Sequence, residues 1–254
     1  EAAELPFSEA ADLSARKLAD ALLGSARYNT VTRDQYLAGL VAMARLDVGL
    51  EHCHLLLFMA NNPLPPGRAW LGKQTSDPVR LAVQSLIQTR PSDAPRNRRA
   101  LLELLEGPAP AWGPRLRARV LGMLSYGDSP ALAVERLQEA RELDPRWPWA
   151  QGALGKAQLA AGDPALALAS AERAVALQHE MGFDLRPGTR WETPWLRVNV
   201  VQALVRLKRY EDAAKKLDAL LVDHAELPAL VSLQKAGVFR LLEEKLGRTF
   251  DWEP

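Results

Sequence analysis

A chain of 254 residues, 48% hydrophobic and 25% charged, is long enough to bury one large core or two small ones. With 32 basic against 31 acidic side chains the formal net charge is +1, so nothing in the balance points to nucleic acid or to an anionic membrane surface. A single cysteine, Cys53, excludes an internal disulfide, and the longest apolar run, 55–60, is far too short to span a bilayer.

No alternating run rich in Val, Ile and Thr marks a strand. Apolar residues instead recur at spacings of three and four, so the chain is expected to be all-α. Spacing and cap signals predict helices at 8–27, 33–47, 49–61, 77–90, 93–106, 114–126, 129–143, 148–161, 164–180, 194–207, 210–223 and 228–246. Thr32 and Gln35 suit a capping box. Asp77-Pro78, Ser129-Pro130, Asp163-Pro164 and Thr193-Pro194 each put a side-chain acceptor at the N-cap and a proline at the first helical position. There the acceptor satisfies an orphan N–H and the proline has none to lose. The segment 61–76, with Pro63, Pro65, Pro66 and Gly67, separates an N-terminal helical region, 1–61, from the rest of the chain. A tighter break at 107–114 closes a second region, 62–113, which is read as a linker and a degenerate helix pair. Each break carries a tryptophan, Trp70 or Trp112, expected to dock on a neighbour. The first residue is Glu1 rather than Met, a start that a removed leader or anchor would also leave, so the compartment stays open between cytoplasm and export.

Reactive chemistry has few residues to rest on. Glu51-His52-Cys53-His54 is a cluster of ligand-type side chains, but two histidines two apart on a helix point in different directions. Its bland reading, a helix start with a buried thiol, outweighs a metal site. No Gly-rich phosphate loop, nucleophile elbow or His-Glu-x-x-His string occurs. No catalytic residue, metal or cofactor is therefore assigned, and the chain is not expected to be an enzyme. Arg96, Arg98 and Arg99 stand at a helix start, where cations oppose the macrodipole, so a neighbouring Asp or Glu is expected to hold them.

From residue 114 onward the sequence repeats. The stretch 148–181 reads PWAQGALGKAQLAAGDPALALASAERAVALQHEM. With Pro148 as position 1, Leu154 and Gly155 fall at positions 7 and 8, Gly162 at the turn, Ala167 at position 20 and Ala174 at position 27. This pattern resembles the tetratricopeptide repeat family, a helix pair of about 34 residues with small side chains where helices cross. The same frame started at Pro114 puts Ala133 and Ala140 at positions 20 and 27, with Leu121 where Gly is usual and Gly122 beside it. A third copy started at Pro194 carries LKRYEDAAKKLDAL at 207–220, with Ala213 at position 20 and the larger Leu220 at position 27, hence a looser crossing. The starts 114, 148 and 194 leave a 12-residue insertion, 182–193, expected as an edge loop. Helix 228–246 is read as a terminal cap, with Leu227, Leu230, Val231, Val238, Leu241, Leu242 and Leu246 on one face.

The resemblance implies a right-handed helical-hairpin solenoid over 114–254, with a helical N-terminal extension and a C-terminal capping helix. It also implies a groove lined by positions 2, 5, 6, 9, 12 and 13 of each first helix. Carried onto this chain, the partner-binding residues are Arg115, Arg119, Tyr126, Trp149, Lys156, Trp195, Asn199, Gln202 and Arg206. No carboxylate stands at any of these positions. The clamp that some members form with Lys and Asn at positions 5 and 9 is absent; Ala118 and Gly122, Gly152 and Lys156, Val198 and Gln202 stand there. The expected function is a non-catalytic scaffold or adaptor that holds a protein or peptide with apolar anchors and acidic flanks. The alternative is a helical accessory or assembly domain of a cell-envelope complex, contacting saccharide through exposed tryptophans, of which the chain has 7 in all.

Overall fold

The computed structural model describes residues 41, 42, 44, 45, 77–79, 82, 83, 94–107, 113–180, 192–224, 228–250 and 252. The expected helices at 8–27 and 49–61, the Thr32–Gln35 box, the Cys53 cluster, Trp70, Trp112 and most of the 182–193 insertion lie outside them. Among the described residues every regular element is a helix and no strand occurs. The helices are α1 (Ala94–Glu106), α2 (Pro114–Ser125), α3 (Pro130–Leu143), α4 (Pro148–Ala160), α5 (Pro164–Glu180), α6 (Glu192–Arg206), α7 (Tyr210–His224), α8 (Pro228–Lys235) and α9 (Val238–Leu246). The chain divides into two compact units, Glu1–Leu124 and Ser125–Pro254.

In the first unit, the helical residues Val41, Ala44, Val79, Ala82 and Val83 are buried, and α1 and α2 contribute Leu101, Leu116, Val120, Leu121 and Leu124. Asp77 caps its helix as expected, accepting from the Val79 N–H at 3.1 Å, and it also pairs with Arg45. One arginine of the run reaches a backbone carbonyl. Arg98 donates from Nη1 to the Leu124 carbonyl at 2.6 Å. That carbonyl is among the last four of α2, which have no intrahelical donor and form the negative end of the helix.

In the second unit the helices pack in sequence, α3 on α4, α4 on α5, α5 on α6 and α6 on α7, with further contact between α4 and α6. Proline begins α3, α4, α5 and α8. Ser129 accepts from the Leu132 N–H at 3.4 Å and Asp163 from the Leu166 N–H at 3.1 Å, the expected caps. Ala133, Ala140, Ala167 and Ala174 are all buried. Gly155 shows why small residues are required here: a Cβ on it would lie 2.9 Å from the Ala167 carbonyl oxygen and 3.3 Å from the Ala171 nitrogen. Leu220, expected to loosen its crossing, is buried in the same core as Ala213 and Leu217.

Two expectations are corrected. Helix α6 begins at Glu192, so Thr193 is not its N-cap and residues 192 and 193 of the insertion are helix rather than loop. Pro194 is compatible with that start because first-turn N–H groups have no intrahelical partner. The terminal helix is not continuous over 228–246. It breaks at Gly237, whose φ of 72° is left-handed, and restarts as α9. On one straight helix Leu233 and Leu242 would stand about 180° apart at 3.6 residues per turn. The break brings both, with Leu230, Val238 and Phe239, into a single core. Beyond α9 the chain folds back: Trp252 stacks on Phe239 at 5.3 Å, and Phe250 meets Phe239 edge-on at 5.8 Å. Arg248 lies 4.4 Å over the Phe250 ring and pairs with Asp218 of α7 at 2.9 Å.

Candidate partner-binding surface

The stretch between α3 and α4 assembles an aromatic cluster. Trp147 is the N-cap of α4 in extended backbone (φ −87°, ψ 102°), and Pro148 holds the helix start. That geometry turns Trp147 and Trp149 onto one another, stacked at 4.9 Å with 23° between their planes. Tyr126, from the turn after α2, tilts against Trp149 at 5.3 Å. The two indoles are buried, 3% and 8% exposed, whereas Tyr126 leaves 59% of its surface to solvent. Burial of its hydroxyl pushes the Tyr126 pKa up to about 12, outweighing the hydrogen bond from the Trp149 side chain, which acts the other way.

One turn along α4, Gly152 leaves room for α6. A Cβ there would meet Leu196 and would come within 3.2 Å of the Trp195 ring. Asn199 donates from Nδ2 to the Gly152 carbonyl at 3.1 Å, a buried bond that fixes α6 against α4. Trp149, Gly152 and Lys156 follow one face of α4; Trp195, Asn199, Gln202 and Arg206 follow one face of α6. On both faces the residue nearest the helix C-terminus is exposed, Lys156 on α4 and Arg206 on α6, while Trp195 and Gln202 are half-buried.

The nine residues read from the sequence therefore occupy different settings. Tyr126, Lys156 and Arg206 present surface, Trp195 and Gln202 present part of it, and Trp149 and Asn199 lie beneath. Arg115, half-buried, and Arg119, 3% exposed, belong to the first unit. The sequence reading left out Trp147, although its position two residues before Trp149, with proline between, was a visible sign that the rings could meet. Among the described residues no group of three or more His, Cys, Asp or Glu side chains could hold a metal ion, and no helix is long and apolar enough to cross a membrane. No family model, no curated protein and no solved structure matches this chain.

Proposed function

We propose that the chain is a tetratricopeptide-like, right-handed helical-hairpin scaffold that binds another polypeptide and carries out no chemistry of its own. The binding face is the surface of α4 and α6, with the Tyr126 ring at its edge. The observation that carries this reading is an exposed aromatic, Tyr126, packed on buried Trp149, which is itself stacked on Trp147, together with exposed Lys156 and Arg206 on the faces of α4 and α6. A rigid ring supplies contact area at low entropic cost, and the flanking cations select register and partner charge. The burial of Trp147 and Trp149 leaves little ring face for sugar stacking and favours polypeptide over saccharide.

The test is affinity capture from the source organism with mass spectrometry, comparing wild type with Tyr126→Ala and with Lys156→Glu/Arg206→Glu. The surface variants should lose the partners captured by wild type while melting within a few degrees of it. Retention of every partner by both variants would move the binding site to another face.

A further inference from the structure

Two turns of the second unit close in the same way with different residues. After α4, the Gly162 N–H donates to Leu159 O at 3.2 Å and the Asp163 N–H to Gln158 O at 2.9 Å. After α6, the Lys208 N–H donates to Val205 O at 3.0 Å and the Arg209 N–H to Leu204 O at 2.9 Å. These are the paired bonds of a Schellman C-cap, which places its C′ residue in left-handed backbone. Gly162 has φ 92° and Lys208 has φ 59°, the one non-glycine residue with positive φ among those described. Both stand at position 15 of their repeats, counting from Pro148 and Pro194. Glycine is the residue this conformation favours, and a lysine there is strained.

Such strain is a pointer to function when the side chain has no structural employment. Lys208 is exposed, and no hydrogen bond or ion pair holds its ammonium among the described residues. Its neighbour Arg209, by contrast, is held by Asp212 at 2.7 Å. Lys208 follows Arg206 by two residues at the end of α6, and Arg206 and Lys156 likewise have no ion-pair partner among the described residues. The carboxylates nearest in sequence are Asp212, taken by Arg209, and Glu211, exposed in the first turn of α7.

Resting on the binding face proposed above, we infer that Lys208 extends that face onto the α6–α7 turn, where it reads a carboxylate of an acidic partner segment. This contact accounts for a lysine where the other turn carries Gly162. Cation placement at a helix C-terminus would give it a modest stabilising role as well, but Gly162 shows that the turn closes without one.

The experiment uses the full chain and a fluorescein-labelled peptide of about twelve residues, alternating Glu and Asp with Leu and Trp, read by anisotropy at low salt. A control peptide carries Lys at every acidic position. Lys208→Gly should raise the melting temperature and weaken the acidic probe about two- to fivefold, the span of an exposed ion pair. Lys208→Gln should weaken binding equally without the gain in stability. A stabilised Lys208→Gly with unchanged binding would overturn the inference and leave the binding face standing, provided Tyr126→Ala and Arg206→Glu still lose the probe. Failure of wild type to prefer the acidic probe over its basic control would overturn the acidic-partner reading itself.

Discussion

Gly155 and Tyr126 show how single side chains set the limits of this surface. Gly155 sits with helical backbone and no left-handed φ, so its requirement is space alone. Gly155→Ala should cost about 1–3 kcal/mol, because the added methyl meets backbone of α5, which cannot rotate away. Chemical denaturation measures it, and a loss below about half a kcal/mol would mean that α4 and α5 separate without penalty. Tyr126 makes a pH prediction. Its folded pKa of about 12 lies above the ordinary value of 10.0, so the folded state holds the proton more tightly than the unfolded chain. The resulting stability is present below the unfolded pKa and is lost as pH rises through the folded one. Subtracting the ultraviolet titration of Tyr126→Phe from that of wild type should isolate a tyrosinate appearing near the upper value. A difference curve centred at the ordinary tyrosine pKa would show that the hydroxyl is solvated.

At the scale of helices, the small-residue frame was legible and the terminal cap was not. Ala133, Ala140, Ala167 and Ala174 could be placed because a crossing tolerates only small side chains, and that constraint is written directly in the residue type. Ala167→Leu should therefore lower stability by about 1–3 kcal/mol, read from the same denaturation curves, and an unchanged midpoint would discredit the frame. The break at Gly237 escaped because glycine inside an apolar period is tolerated, and only the shared burial of Leu233 and Leu242 reveals the turn. Likewise the periodicity that put Trp149 on the binding face could not report the ring contact it makes with Tyr126, which arrives from the turn after α2. The returning segment 247–252 was also invisible, since its aromatic contacts lie between residues with no helical period. Trp252→Ala should destabilise the protein by about 1–3 kcal/mol through lost burial and stacking on Phe239. A melting temperature equal to wild type would mean that the returning segment rests on the surface without holding it.

For the molecule as a whole, the second unit carries its own continuous core from Ala167 to Leu242. Ser125–Pro254 made alone should melt cooperatively with helical circular dichroism, and a non-cooperative melt would show that it borrows stability from the first unit. Such spectra will need care for a reason built into α4. Two indoles stacked at 4.9 Å couple their excited states, adding a paired positive and negative band to the far-ultraviolet region in which helices are measured. Heating that only parts Trp147 from Trp149 will change this signal while every helix stays intact. The spectrum of Trp147→Phe, lacking the couplet, is the baseline against which true helix loss should be judged, and the couplet itself becomes an optical reporter of whatever presses on Tyr126.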